Sequence, residues 1–182
     1  MGSIASPALK ISPLETIKRL WGDELPAFDS MDNLNELLNV LANGLWNQLT
    51  AHQSSQNPFP LTAQNVSPTH EGLRQYVQVR QQEIEGFVEG LFGSHETLDL
   101  PESAHQAVKV LGDVRSMLAG AVNLLNDPSK PAQGDDLKGL LHSFKEIAKI
   151  AEVEMNAAIQ SCKRARDQGT TARQSLTRPT LH

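Results

Sequence analysis

The chain has 182 residues, of which 39 % are hydrophobic and 4 % aromatic, and its formal net charge is −5. These figures predict one compact domain with a core of ordinary size. The single cysteine, Cys162, excludes a disulfide scaffold. Because the sequence has neither 18 consecutive apolar residues nor a basic segment leading into a long apolar one, we expect a cytoplasmic protein without a membrane span. The 24 leucines outnumber valine and isoleucine together, which favours helices.

The charge is unevenly distributed along the chain. Residues 160–182 contain five basic residues and one acidic residue, a local charge of +4, so residues 1–159 carry −9. Cations near the end of a helix complement the helix dipole. We prefer that interpretation to a nucleic-acid contact, because dispersed basic residues make a weak electrostatic footprint.

Two helices are predicted in the first third of the chain. Ser12-Pro13-Leu14-Glu15 forms a capping box that opens a short helix over residues 12–21, and residues 1–11 are expected to be a flexible N-terminus. A longer helix, capped by Asp29 or Ser30, is predicted over about residues 30–53. Its leucines recur at steps of three and four residues and form one apolar face: Leu34, Leu37, Leu38, Leu41, Leu45 and Leu49.

A proline-containing loop over residues 54–68 separates this helix from the next, and we expect Phe59 and Leu61 to anchor it on the core. Ser67-Pro68 predicts the start of a third helix that ends at Gly93. Its apolar positions follow a heptad-like spacing with one arginine in the seam: Leu73, Val77, Arg80, Ile84, Phe87 and Leu91. Gly86 and Gly90, four residues apart in this helix, predict the close approach of another backbone.

Two further helices follow. One begins at Pro101, and its seam also contains an arginine: Ala104, Val108, Leu111, Arg115, Leu118, Val122 and Leu125. The last, over residues 135–168, keeps the heptad step from Leu137 to Ala165 without a break. Residues 169–182 are predicted to be a disordered basic tail.

These elements predict an all-α fold, an antiparallel bundle of four long helices plus a short N-terminal helix, in one domain over residues 12–168. At about 1.5 Å per residue the last helix spans about 50 Å and the helix over residues 30–53 about 35 Å. The last helix should therefore overhang its neighbours by roughly ten residues. The overhang carries Cys162, Lys163, Arg164 and Arg166 beside small alanines, which predicts a protein partner or a homodimer through this helix.

The second predicted helix also carries an asparagine at every fourth position beside its leucine face. Asparagine is a poor helix former, so this stripe predicts either a solvated face, hydrogen bonds to glutamines of the next helix, or a neutral recognition surface with Trp46 at its centre. The candidate partner-binding residues are Asn35, Asn39, Asn43, Trp46, Asn47, Arg164 and Arg166.

No arrangement in the sequence points to catalysis, a metal or a cofactor. A di-iron bundle needs two Glu-x-x-His motifs, and Glu102 to His105 is the only one present. The expected function is therefore a non-enzymatic protein-interaction or regulatory module. A nucleic-acid-associated regulator using the basic C-terminal segment is less favoured. A small-molecule binder using Arg80 and Arg115 in the bundle interior is a further alternative, although both arginines are expected to pair with glutamates or to extend into solvent.

Three short segments carry a family resemblance. They are Leu45-Trp46-Asn47-Gln48-Leu49 followed by Pro58-Phe59, then Gly86-Phe87-Val88-Glu89-Gly90-Leu91, and finally Arg178-Pro179-Thr180-Leu181-His182. Together they resemble the bacterial YecA/YgfB-like helical family, although the cysteine-rich metal-binding tail of many YecA-like members is absent. The resemblance implies an all-helical cytoplasmic protein, and it supplies no active site.

Overall fold

The computed structural model describes residues 1–7, 14, 18, 22, 24, 27–127 and 134–176. All regular structure within these ranges is helical, which confirms the all-α prediction. The helices are α1 (Gly2–Ala5), α2 (Met31–Asn39), a π-helical segment (Val40–Trp46), α3 (Asn47–Ala51), α4 (His70–Phe92), α5 (Glu102–Leu125) and α6 (Gly134–Leu176). The helix predicted over residues 12–21 lies outside the described residues, apart from residues 14 and 18. We call residues 31–51, which run on without a break, the leucine-rich helix.

Local side-chain and glycine geometry sets several helix ends. Ser30, one of the two residues predicted to cap the second helix, caps α2: its hydroxyl accepts a hydrogen bond from the Asn33 N–H at 3.2 Å. Helix α4 is capped by Thr69, which accepts from the Gly72 N–H at 3.0 Å. The predicted cap Ser67 instead uses its carbonyl in a turn to the Thr69 N–H, so the helix begins two residues later. Gly93 ends α4 at φ 63°, a conformation that favours glycine.

Helices α4, α5 and α6 pack together around the main hydrophobic core. The apolar seam predicted for α4 is buried throughout, with Arg80 included. In α5 the buried face differs from the predicted one, because Ala107 and Val114 are buried where Val108 and Arg115 were expected. As a consequence, Arg80 is buried and Arg115 is exposed.

The predicted bundle of four long helices is not confirmed. No residue of the leucine-rich helix is fully buried. Among the described elements, this helix makes no extensive contact with α4, α5 or α6. Its leucine spacing correctly predicts a helix. Whether a leucine stripe enters the core depends on which surface the tertiary fold places against it.

Residues 1–7 differ from the flexible N-terminus that the sequence predicts. They form α1, which packs on α4 and α6 and buries Ile4 and Ala5. Gly90 permits this contact, because a Cβ at this position would lie 2.9 Å from the Ser3 backbone nitrogen and 3.3 Å from the Gly2 Cα. The close backbone approach predicted for the glycine pair is therefore found at Gly90, whereas a Cβ at Gly86 would meet nothing within 4 Å.

The last helix is longer than predicted, but its C-terminal part is not a bare overhang. Helix α6 continues as far as Leu176, eight residues past the predicted end, and residues 177–182 lie outside the description. Ala158, Ile159 and Cys162 are buried, and α1 covers this region. The surface expected to receive a partner helix is thus occupied by the N-terminal segment of the same chain.

An extended segment connects the leucine-rich helix to the bundle. Residues 58–66, which we call the strap, adopt neither helix nor strand. Phe59, Leu61 and Val66 are partly buried and pack against the hydrophobic core, as predicted for the first two. The strap thereby lies across α4 and α6 and forms hydrogen bonds to both.

Candidate functional site

The leucine-rich helix presents an apolar face that the fold leaves accessible. Leu34, Leu37, Leu38, Leu41 and Leu49 are half-buried, and Trp46 is half-buried beside them. Three further apolar side chains of this helix are exposed, with exposed fractions of 68 % for Met31, 58 % for Val40 and 47 % for Leu45. Apolar side chains of this number on one helix are typical of a surface that binds another protein.

The predicted asparagine stripe forms hydrogen bonds along its own helix. The Asn43 side chain donates to the Asn39 side-chain oxygen at 2.6 Å, and the Asn47 side chain donates to the Asn43 carbonyl at 3.2 Å. Asn35 and these three asparagines are all exposed. The stripe is therefore a solvated face in the free chain, and its role as a recognition surface stays a prediction.

The electrostatic character of this region is acidic. Residues 27–51 contain Asp29, Asp32 and Glu36 and no lysine or arginine. All three carboxylates are exposed. The charged side chains of this region are therefore all negative.

The C-terminal residues proposed for partner binding have different surroundings. Arg164 is exposed. Arg166 is held within the chain, since its guanidinium donates to the Ile4 carbonyl at 2.7 Å, to the Ser6 carbonyl at 3.1 Å and to the Gln53 side chain. The Lys163 ammonium also donates to the Gln53 carbonyl, at 3.2 Å. Lys163 and Arg166 of the basic segment therefore connect α6 to residues 4–6 and to Gln53.

The core positions near this end of α6 are not available for a partner. Met155 is fully buried, so it cannot form the seam of a homodimer through the last helix. Cys162 is also fully buried, and burial raises the pKa of its thiol to about 11, an effect that Arg166 partly offsets. The thiol is therefore protonated and shielded at neutral pH.

The two seam arginines have opposite environments, and both pair with a glutamate. The Arg80 side chain is 4 % exposed, and its Nη1 lies 2.5 Å from Glu83 Oε2. It also donates to the Thr62 carbonyl, and its guanidinium carbon lies 4.9 Å from the centre of the Tyr76 ring. Arg115 is 57 % exposed and donates from Nε to Glu85 at 2.7 Å. The structure therefore does not bring the two arginines into one internal polar site.

A cavity of about 230 Å³ lies beside Arg80 and is open to solvent. Thr62, Gln64, Lys145, Lys149 and Glu152 contribute to its lining. The Nε of Arg80 and the side-chain nitrogen of Gln64 are buried without a hydrogen-bond partner. Because both atoms are shielded from solvent, the cavity offers neither of them to a ligand in this conformation.

The residues of α6 that hold the strap were not predicted from the sequence. Asn156 and Glu152 lie one turn apart on this helix and bond to the backbone of Phe59 and Leu61. Neither residue is one of the apolar heptad positions of this helix. The one signal available was the alternation of proline and apolar residues in Pro58-Phe59-Pro60-Leu61, which is typical of an extended segment.

In the residues that the structure describes, these features define an all-α fold with a compact core and an amphipathic helix that contains no fully buried residue. The described part of the chain contains no group of three or more His, Cys, Asp or Glu side chains placed to hold a metal ion. Within the same part, no helix is both long and apolar enough to cross a membrane. The chain matches no family model, no curated protein and no solved structure. The resemblance to the YecA/YgfB-like family therefore stays a prediction.

Proposed function

We propose that this chain is a non-enzymatic interaction protein that binds another protein through the leucine-rich helix. One observation carries the proposal: the helix has a continuous apolar face, yet none of its residues is buried. An amphipathic helix gains most of its stability from packing of its apolar face. A second helix laid along this face would supply that packing.

The composition of the helix specifies the chemistry of the partner. The half-buried leucines favour a partner helix with apolar residues at steps of three and four. The exposed carboxylates Asp29, Asp32 and Glu36 give this region a negative charge, which favours a partner of positive charge. Trp46 supplies a large side chain of the type that contributes most to binding energy at interface centres.

The experiment begins by identifying the partner and ends with purified components. A photo-crosslinking amino acid at Leu45 labels whatever protein contacts the apolar face in the native cell, and the labelled protein is then produced and its affinity measured. Leu38→Glu places a charge on the apolar face and should weaken binding at least tenfold. Asn33→Glu places the same charge on another face of α2 and should change the affinity less than twofold. Raising the salt concentration should also weaken binding, because the carboxylates that favour a positively charged partner are exposed.

Two results would contradict the proposal. Equal affinities of the Leu38→Glu and Asn33→Glu variants for the purified partner would show that the apolar face is not the binding surface. A concentration-dependent dimer of the wild-type chain in sedimentation experiments, dissociated by Leu38→Glu, would show that the face binds a second copy of the chain rather than another protein.

A further inference from the structure

The strap is held mainly through its backbone. Asn156 accepts a hydrogen bond from the Phe59 N–H at 2.7 Å and donates one to the Phe59 carbonyl at 2.8 Å. One side-chain amide thus offers the same donor and acceptor pair that a neighbouring strand offers in an antiparallel sheet. Such recognition depends on an extended backbone and not on the identity of the side chain.

The next residues of the strap continue this pattern on both helices. The Leu61 N–H donates to Glu152 of α6 at 2.9 Å, and the Thr62 N–H donates to Glu83 of α4 at 2.8 Å. The Thr62 carbonyl accepts from Arg80. Pro58 and Pro60 have no N–H. Every backbone N–H group from residue 58 to residue 62 is therefore either missing or bonded, although the segment has no regular secondary structure.

The apolar side chains of the strap add selectivity. Phe59 and Leu61 pack against the core, whereas Pro60 and Thr62 between and after them are exposed. His52 contacts the Phe59 ring edge to face, with the ring centres 5.7 Å apart. The surface between α4 and α6, which we call the groove, therefore has two apolar sites spaced two residues apart along an extended chain. Flanking prolines lower the entropy lost when such a segment binds.

The strap contributes no fully buried residue to the main core. Its own apolar side chains are only partly buried, and the leucine-rich helix before it buries no residue. The nearest firm attachment on its N-terminal side is Gln53, bonded by Gln160, Lys163 and Arg166. The fully buried apolar residues of the core come from α1, α4, α5 and α6, and the strap packs against them from outside.

We propose that the groove is a binding site for an extended peptide segment of a partner protein, with an aromatic residue and an aliphatic residue two positions apart and prolines beside them. The strap is the resident occupant of this site and competes with the partner segment. This site is distinct from the apolar face of the leucine-rich helix and stands without the function proposed for that helix.

The test uses a synthetic peptide with the sequence of residues 56–64, blocked at both ends and labelled with a fluorophore. The receptor is the full chain with Phe59→Ala and Leu61→Ala, which weakens the strap and leaves every groove residue in place. We expect saturable binding with one peptide per chain. Binding to the wild type should be at least tenfold weaker but measurable at millimolar peptide, because the tethered strap competes at a high effective concentration.

Two control variants separate groove binding from nonspecific association. A peptide with alanine at the positions of Phe59 and Leu61 should lose at least tenfold in affinity. Adding Asn156→Ala to the receptor should also weaken binding at least tenfold, since two backbone hydrogen bonds are lost. Circular dichroism establishes that each receptor is folded, and Leu61→Ala alone serves as the receptor if the double variant is not.

Several outcomes would overturn the proposal. These are the absence of saturable binding to a folded strap variant, equal binding of the alanine peptide, or an Asn156→Ala receptor that binds as well as its parent. A wild-type chain that excludes the peptide even at several millimolar would show that the strap is a fixed part of the fold. A dimer formed by exchange of straps would assign the groove to a second copy of the chain.

Discussion

The contact between Gly90 and α1 provides the sharpest test of how the N-terminal segment is held. A Cβ at Gly90 would lie 2.9 Å from the Ser3 backbone nitrogen, a separation that real Cβ atoms do not show. Because the obstructing atom is backbone, Gly90→Ala should push α1 off α4. A Cβ at Gly86, on the same helix, meets nothing within 4 Å.

The matched pair isolates the docking of α1. Each substitution gains about 1 kcal/mol of helix propensity, so Gly86→Ala should stabilise the protein by about that amount. Gly90→Ala also exposes Ile4, whose burial contributes about 1.5–3 kcal/mol, while freeing the segment recovers part of this as entropy. We expect Gly90→Ala to be about 1–2 kcal/mol less stable than Gly86→Ala.

The assay is urea denaturation of both variants together with hydrogen exchange of the amides of residues 4–6, which bond to Met1 and Gly2 carbonyls. In Gly90→Ala these amides should lose their protection, whereas in Gly86→Ala they should keep it. If the two variants are equally stable and equally protected, α1 does not depend on the absence of a side chain at Gly90, and the reasoning is refuted.

Three further predictions concern buried side chains. Arg80→Met removes one partner of a buried ion pair and should destabilise the protein by about 3 kcal/mol in urea denaturation. Arg115 is exposed, so Arg115→Met should change the free energy of unfolding by less than about 0.5 kcal/mol. Similar changes in unfolding free energy for the two variants would contradict the burial of Arg80. Cys162, with its pKa raised from 9.0 to about 11, should react with iodoacetamide at pH 8 about a hundredfold or more slower than an ordinary thiol. The pKa of Cys162 is raised only in the folded state, so the protonated thiol contributes to the free energy of unfolding below pH 9. This contribution should be lost as the pH rises toward 11, and a Cys162→Ala variant should not show the pH-dependent loss of stability. Met155→Glu places a charge in the core and should unfold the chain, at a cost of about 4 kcal/mol. Val153 is 63 % exposed on the same helix, so Val153→Glu should fold normally by circular dichroism. A folded Met155→Glu protein would show that this position is not in the core.

The candidate surfaces were predictable to different degrees. Trp46 and the asparagines were identified from spacing alone, because residues four apart in a helix lie on one face wherever the helix is placed. Asn156 and Glu152 were not identified, because their role depends on Phe59 and Leu61, about 90 residues earlier in the chain. Periodicity within one segment carries no information about a contact of that range.

The sequence by itself determined that the chain is helical and where most helices begin and end. Leucine spacing, Ser30 and Gly93 act within one or two turns, so these features follow from local sterics and hydrogen bonding. Only the tertiary structure decided which apolar stripe becomes core. The leucine-rich helix has a regular leucine spacing and contains no fully buried residue, while the four-residue α1 buries Ile4 and Ala5. A side chain is buried only when another part of the protein packs against it, and the path of the whole chain decides which part that is.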